Sequence, residues 1–184
     1  MSDYSIIQKD LYRESGKWLS TVEIWRKCFN PNLHFVYILR KAQKHNKKNM
    51  LGFFWKLVLR RYQIKYGFQI YPETTIGEGL YLGHWGCLVI NPKAKIGKNC
   101  NIAQGVTIGQ QNRGKKTGSP IINDEVWIGA NAVIVGNVTI GKNVLIAPNS
   151  YVNFDVPENS IVTGNPAIVY PNLKATEGYI NNKI

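Results

Sequence analysis

Residues 70–90 read IYPETTIGEGLYLGHWGCLVI, and the branched aliphatic residues of this stretch begin a six-residue repeat that continues to residue 152. A six-residue period with a branched aliphatic at its first position is typical of a parallel β-helix, because that residue points inward in every repeat. The sequence therefore predicts a mainly β fold. The repeat positions are Ile70, Ile76, Leu82, Ile90, Ile96, Ile102, Ile108, Ile122, Ile128, Ile134, Ile140, Ile146 and Val152.

The repeat also predicts where the hydrophobic core lies. Three repeats would complete one triangular coil, and stacked coils bury each aliphatic residue against those above and below it. Burial of one such side chain contributes about 1.5–3 kcal/mol. We expect the core to be this column of aliphatic residues, with small residues such as Ala103 and Ala132 fitting the narrow interior.

The period slips at two places. Two extra residues lie between Leu82 and Ile90, and a longer insertion lies between Ile108 and Ile122. Insertions in a solenoid form loops on its surface, and loops on a rigid scaffold often carry function. The candidate functional residues are therefore His84 and Trp85 in the first slip, and Arg113, Lys115 and Lys116 in the second.

The sequence divides into three parts: a helical N-terminal region of residues 1–66, the β-helix of residues 67–170 and a polar C-terminal tail of residues 171–184. We expect the tail to be mobile, as polar chain ends often are. In the N-terminal region a set of apolar residues recurs at helical spacing, and we expect this face to cap the first coil of the β-helix. A helix lying on a membrane surface is the alternative. The residues of this face are Leu51, Phe54, Trp55, Val58 and Tyr62.

The formal net charge is +12, and most of it lies before the repeats, since residues 1–66 contain 14 Lys and Arg against 4 Asp and Glu. A basic extension indicates an anionic partner. That partner could be an acidic glycan, a lipid-linked phosphate, a membrane surface or nucleic acid, and a solvated helical surface is the alternative. We keep a peripheral membrane contact through this region open and do not expect nucleic acid.

The cysteines and the N-terminus indicate the compartment. Cys28, Cys87 and Cys100 are odd in number and show neither metal-binding nor redox spacing, which fits a reducing compartment. The N-terminus has no basic segment followed by an apolar run, so no signal peptide is predicted. We therefore expect a cytoplasmic protein, with the inner face of the membrane as a further possible location.

Four motifs accompany the repeats: LGHWG at residues 82–86, VTIG at 106–109, WIGANA at 127–132 and GNPA at 164–167. Together they resemble the left-handed β-helix acyltransferases, and within them the serine acetyltransferase-like branch that includes capsular and exopolysaccharide O-acetyltransferases. The resemblance covers about residues 67–170. It implies a left-handed parallel β-helix with an N-terminal α-helical extension, a homotrimer, and acetyl-CoA as acyl donor in the groove between two neighbouring β-helices.

The resemblance also implies that His84 is the general base that takes a proton from the acceptor hydroxyl. A hydroxyl is a poor nucleophile until a base of near-neutral pKa removes its proton. In serine acetyltransferases an Asp orients the imidazole, and Gln69 stands in that place in this sequence. Gln69, a backbone carbonyl or a carboxylate such as Glu73 could therefore orient the ring.

The expected acceptor is a sugar hydroxyl. Gly83 stands where serine acetyltransferases carry an Asp that helps to bind the amino acid, and Ser119 stands where they carry a second histidine. Trp85 offers a flat apolar surface that suits the C–H face of a sugar ring, although trimer packing would also explain it. We therefore expect a role in polysaccharide biosynthesis, with acetyl transfer to a capsule, exopolysaccharide or lipopolysaccharide or to a saccharide precursor. The alternative is a serine O-acetyltransferase, or acetylation of another small-molecule hydroxyl.

The second slip supplies candidate contacts to acetyl-CoA. Its loop is polar and basic and could hold the phosphates of CoA or reach an acidic glycan, and a solvated loop is the alternative. No metal is expected, because His84 is the only histidine of the repeats and a metal site on this scaffold needs several. The candidate residues for CoA are Gln110, Arg113, Lys115 and Lys116, to which the resemblance adds Ala130 and Pro148 at the pantetheine channel.

Overall fold

The computed structural model describes residues 5–27 and 29–184. The helices come first: α1 (Ile6–Ser15), α2 (Thr21–Lys27), α3 (Pro31–Lys44) and α4 (Met50–Tyr66). Short strands fill the rest of the described chain. They are β1 (Phe68–Gln69), β2 (Thr75–Ile76), β3 (Tyr81–Leu82), β4 (Leu88–Ile90), β5 (Lys95–Ile96), β6 (Asn101–Ile102), β7 (Thr107–Gly109), β8 (Ile121–Ile122), β9 (Trp127–Ile128), β10 (Val133–Val135), β11 (Thr139–Ile140), β12 (Val144–Ile146), β13 (Tyr151–Val152), β14 (Ser160–Thr163) and β15 (Ile168–Pro171).

Local hydrogen bonds set the ends of the helices. The Ser5 hydroxyl accepts from the backbone N–H of Gln8 at the start of α1, and the Gln8 side chain accepts from the backbone N–H of Ser5. The Asn30 side chain accepts from the N–H of Asn32 at 2.9 Å and caps α3. At the end of α4, Gly67 adopts the left-handed backbone, with φ of 73°, that stops a helix. The chain then turns directly into the β-helix.

The strands form three parallel sheets, which make the three sides of the solenoid. Sheet A has the order β1-β4-β7-β10-β13, sheet B has β2-β5-β8-β11, and sheet C has β3-β6-β9-β12-β14, with β15 antiparallel at its end. The register pairs Val89 with Thr107 and Val133 with Tyr151, eighteen residues apart in each case, so three repeats complete one coil. The mainly β, parallel β-helical fold is therefore confirmed, and it is consistent with the left-handed form.

The predicted core column is also confirmed. Every repeat aliphatic is at most 7% exposed. The register stacks equivalent residues on one another, so that in sheet A Ile90 pairs with Ile108, and Ile108 pairs with Ile134. At the helical end, the buried Phe35 and Leu39 of α3 belong to the same cluster. One continuous core therefore joins the helices to the β-helix.

Helix α4 covers the first coil, but only part of the predicted face does so. Trp55, Val58 and Tyr62 pack against the core as expected. Leu51 and Phe54, in contrast, are 49% and 54% exposed, so the prediction is wrong for the first turn of the face. None of the helices in residues 5–27 and 29–184 is long and apolar enough to cross a membrane.

Other contacts set the rotation of α4. Leu59 and Gln63 are buried, and the Gln63 side-chain amide donates to the carbonyl of Ile70 at 2.9 Å. The carbonyl of Lys47 occupies the space in which a side chain at Gly52 would begin, so the preceding loop lies against this side of the helix. With this side of the helix against the loop, Leu51 and Phe54 face outward.

The C-terminal tail packs against the coils, contrary to the expectation that it is mobile. Ala175, Thr176 and Ile180 are buried. The ring of Tyr179 lies 4.8 Å from that of Trp127 on sheet C. The tail is polar yet packed because its backbone and side chains pair with asparagines on the coils, which the composition of the tail alone does not indicate.

A buried ion pair ties the helices to the first coil. Asp10 of α1 accepts from Arg40 Nε of α3 at 2.7 Å, and both side chains are buried. The Asp10 carboxylate also accepts from the backbone N–H groups of Gly79 and Leu80, at 2.8 and 2.9 Å. Burial raises the pKa of Asp10, and the Arg40 guanidinium opposes that rise. Neither the repeat nor the helical pattern predicts this contact.

Candidate active site

The first slip forms a short loop, residues 83–87, at the corner between sheet C and sheet A. The backbone N–H of Leu88 donates to the carbonyl of Gly67 at 3.1 Å, so strand pairing resumes directly after the loop. The two extra residues are accommodated by positive φ angles of 116° at Gly86 and 28° at Cys87. Such backbone is costly for a residue other than glycine, and such residues cluster at functional sites.

The loop presents His84 and Trp85 to solvent. His84 is exposed, and the Trp85 side chain is 59% exposed. An exposed tryptophan next to an exposed histidine is not explained by the core of the chain. The pair is therefore available to a substrate or to a second chain.

The corner that carries His84 recurs in the following coils, because each passage from sheet C to sheet A makes the same turn. The backbone N–H of Asn149 donates to the carbonyl of Ala130 at 2.9 Å, which stacks one corner on the next. The fold thereby brings His84, Ala130 and Pro148 to one edge of the solenoid. We call it the His84 edge, and it consists of residues 83–87, 103–106, 129–132 and 147–150.

The structure shows no partner that orients the His84 ring. Within the described residues, no side chain or backbone group makes a hydrogen bond to the imidazole. Gln69 faces outward from sheet A, in register with Val89. The carboxylate of Glu73 lies 3.5 Å from the ammonium of Lys56. The proposed roles of Gln69 and Glu73 in orienting the ring stay predictions.

Asn32 is a contact to the loop that sequence reasoning missed. Its side-chain amide donates to the carbonyl of Gly83 at 2.9 Å, and the residue is only 8% exposed. Its Oδ1 is buried, and no hydrogen-bond partner for it occurs among residues 5–27 and 29–184. The Asn32 amide, held on α3, therefore fixes the backbone next to His84. No pattern in the sequence links position 32 to position 83.

The second slip forms a hairpin-like loop at the corner between sheet A and sheet B. Gln111 and Gly118 exchange backbone hydrogen bonds of 2.9 and 3.0 Å, so the loop closes on itself. We call this corner the loop edge, residues 110–120. The candidate residues Gln110, Arg113 and Lys115 are exposed on it.

Three candidates on the loop edge already have partners. The Gln110 side-chain amide donates to Asn112 Oδ1 at 2.6 Å. Lys116 pairs with Asp155 at 2.8 Å and lowers the pKa of that carboxyl. The Ser119 hydroxyl donates to Asn91 Oδ1 at 3.2 Å. Arg113 and Lys115 are therefore better placed than Lys116 to hold a phosphate.

The candidate residues thus lie on the two opposite edges of sheet A. Gly83 and Trp85 share the His84 edge, whereas Ser119 and the cationic loop occupy the loop edge. Within one chain the fold does not bring the base and the candidate phosphate contacts together. A site that uses both needs a second chain.

Comparison with known proteins adds independent findings. The family described as bacterial transferase hexapeptide (six repeats) matches residues 119–153. The serine acetyltransferase of Bacillus pumilus is 31% identical over 152 residues, which cover 82% of this chain and 70% of that protein. Serine acetyltransferase 2 of Arabidopsis thaliana is 42% identical over 104 residues, covering 55% of this chain and 32% of that protein. The chain thus spans about a third of the plant relative.

Solved structures are similar over almost the whole chain. The serine acetyltransferase of Brucella abortus in complex with coenzyme A superposes with a TM-score of 0.74 at 27% identity, covering 91% of this chain and 66% of that one. The Neisseria gonorrhoeae enzyme in complex with serine gives a TM-score of 0.71 at 30% identity, covering 90% and 67%.

These relatives do not support the capsular and exopolysaccharide branch that the motifs suggested, since they are serine acetyltransferases. The repeats, the parallel solenoid and the identity shared across most of the chain agree with one another. The chain belongs to the serine acetyltransferase family of hexapeptide-repeat transferases.

Proposed function

We propose that the chain is an acetyl-CoA-dependent O-acetyltransferase of a small hydroxyl compound, with L-serine as the first acceptor to test. The observation that carries the proposal is the exposed His84 at a slip of the repeat, on the same edge as Ala130 and Pro148. Relatives solved with coenzyme A and with serine support the choice of donor and acceptor.

In the proposed reaction, the His84 imidazole takes the proton of the acceptor hydroxyl as its oxygen attacks the thioester carbonyl of acetyl-CoA. The new C–O bond forms a tetrahedral intermediate, which collapses as the C–S bond breaks. The imidazolium returns the proton to the departing thiolate, so the products are the O-acetyl ester and free CoA. His84 ends the cycle neutral and needs no further reagent.

Acetyl-CoA is the proposed donor, and its phosphates would meet Arg113 and Lys115. Among the residues that the structure describes, no three His, Cys, Asp or Glu side chains lie together as a metal site would need. The absence of a metal, the absence of a nucleic-acid partner and the cytoplasmic location stay predictions.

The proposed functional unit is a homotrimer, because the His84 edge of one chain and the loop edge of the next would form one groove. The outer surface of sheet A supports this arrangement. Val89 and Tyr151 stand in its outward column and are 36% and 37% exposed. The outward column of sheet B has Thr75, Lys95 and Thr139 beside one apolar residue, Ile121. The tail covers part of sheet C. Sheet A is thus the side most suited to a second chain.

A saccharide hydroxyl is the second candidate acceptor. Its support is the exposed Trp85 beside His84, together with the uncharged Gly83 in a position where serine recognition would favour a carboxylate. The named relatives favour serine. Both acceptors would use the same base and the same donor.

Release of the CoA thiol from acetyl-CoA distinguishes the acceptors. We expect turnover with L-serine above the rate without acceptor, and no comparable turnover with nucleotide sugars or capsular oligosaccharides. The reverse result would establish the saccharide instead. An enzyme that releases CoA with neither class, although it binds acetyl-CoA, would contradict the proposed function.

A further inference from the structure

The first half of helix α4 exposes a continuous apolar surface. Met50, Phe53, Phe54 and Leu57 are 86%, 61%, 54% and 54% exposed. Spacings of three, four and seven residues place them on one side of a helix. Soluble proteins seldom expose so many large apolar side chains together unless the surface has a partner. We call these four residues the α4 outer face.

The surroundings of the α4 outer face are positively charged. No Asp or Glu occurs between Glu23 and Glu73 in the sequence. The loop before α4 adds the exposed Lys47 and Lys48, and the helix itself adds the exposed Arg60 and Arg61. At the start of the helix an open cleft of about 510 Å³ is lined by both kinds of side chain. Its lining residues are Lys47, Lys48, Asn49, Met50, Phe53 and Lys56.

We propose that the α4 outer face docks on the surface of a membrane that contains anionic lipid. Phe53, Phe54 and Leu57 would enter the boundary between headgroups and acyl chains, while the flanking cations would pair with lipid phosphates. The opposite side of α4 packs on α3 and on β1 of the first coil, so the helix can lie flat on a bilayer without leaving the protein.

Charge argues against a second copy of this chain on the same surface. Pairing two α4 outer faces would bring the lysines and arginines of both chains together, with no carboxylate in the segment between Glu23 and Glu73 to compensate them. An anionic bilayer would bury the apolar side chains and also pair with the cationic ones. This inference stands independently of the acetyl acceptor.

Co-sedimentation with lipid vesicles tests the proposal. The full chain should pellet with vesicles of equimolar phosphatidylcholine and phosphatidylglycerol, and should stay in the supernatant with phosphatidylcholine alone. Binding should weaken as salt is raised, because exposed charges are screened. Absence of binding to the anionic vesicles, or equal binding to both kinds, would overturn the proposal.

Two double variants test whether the α4 outer face and its flanking cations contact the membrane. The double substitution Phe53→Ser with Leu57→Ser should weaken vesicle binding at least tenfold. Lys47→Ser with Lys48→Ser, two exposed cations that line the cleft beside Phe53, should weaken it and reduce its salt dependence. Leu173→Ser is the matched control, because Leu173 is 83% exposed but lies in the C-terminal tail. Its binding should be unchanged. All five substituted positions are exposed, so the circular dichroism of each variant should match that of the unsubstituted chain.

The same variants decide between lipid and self-association. If Phe53→Ser with Leu57→Ser lowers the molar mass measured by light scattering without vesicles, the α4 outer face is an interface between chains, and the membrane proposal is wrong. Unchanged mass together with lost vesicle binding supports it.

Discussion

At the scale of single residues, His84 is the side chain on which the proposed chemistry depends. His84→Ala should lower turnover at least ~100-fold, the usual contribution of a general base. Acetyl-CoA affinity, measured by calorimetry, should be nearly unchanged, because the imidazole acts on the acceptor hydroxyl. His45→Ala is the control, since His45 follows α3 and stacks on Trp55 at 6.4 Å between ring centroids. Retained turnover in the His84 variant would exclude this residue as the base.

Asn32 should act through the backbone of the His84 loop. Asn32→Ala removes the donor to the Gly83 carbonyl, and a hydrogen bond of this kind contributes about 0.5–1.5 kcal/mol. We expect kcat to fall about 2- to 10-fold with an unchanged KM for acetyl-CoA, because Asn32 forms hydrogen bonds with Asn30 and Gly83, neither of which is a candidate acetyl-CoA residue. Thr74→Val is the matched control, since Thr74 is also buried with an unpaired oxygen. If both variants change kcat alike, Asn32 has only a structural role.

At the scale of elements, the Asp10–Arg40 pair joins α1 and α3 to the first coil. Asp10→Ala should lower the free energy of unfolding by about 3–5 kcal/mol, because it leaves the Arg40 charge buried without its partner. Urea denaturation measures the change. The control is Glu177→Ala, which breaks an exposed pair with Lys174 and should change stability by less than about 0.5 kcal/mol. Equal losses would show that the buried pair does not hold the helices in place.

The elements differ in how far the sequence predicts them. The repeat fixes the inward phase of the strands, because a slip of one residue would turn Ile108 or Ile134 out of the core. Helix α4 is apolar on both sides, so its pattern cannot say which side packs. The structure shows that the side carrying Gly52 faces the preceding loop, because the Lys47 carbonyl lies where a side chain at Gly52 would begin.

The sequence also predicted part of the candidate site. The slip in the repeat singles out His84 and Trp85, and the order of the corners then follows from the period. The Asn32 contact, in contrast, joins residues 51 positions apart and depends on where α3 docks. The insertion between Ile108 and Ile122 places the cationic loop one strand after a corner of the His84 edge, and the sheet order then puts it on the opposite edge of sheet A.

At the scale of the whole molecule, sheet A should be the surface on which chains assemble. Val133→Asp with Tyr151→Asp places charges in its outward column, and a desolvated unpaired charge at an interface is costly. We expect light scattering to show a trimer for the unsubstituted chain and a monomer without acetyl transfer for the variant. Thr75→Asp, on the exposed side of sheet B and in register with Lys95, should leave both properties unchanged. A trimer that survives the sheet A substitutions would place the interface elsewhere.

The His84 edge and the loop edge lie on opposite sides of sheet A, so each site in the trimer would take His84 from one chain and the loop from its neighbour. Two variants that each damage a different edge should therefore complement one another. They are the single variant His84→Ala and the double variant Arg113→Ala with Lys115→Ala. Each should have low activity alone. In mixed trimers formed from equal amounts of both, one site in about four combines an intact His84 edge with an intact loop edge, so activity should return to about a quarter of the unsubstituted value. Simple mixing without exchange of chains is the control and should restore nothing. If mixed trimers, verified by mass spectrometry, stay inactive, then each chain carries its own complete site, and the loop edge does not serve the neighbouring His84.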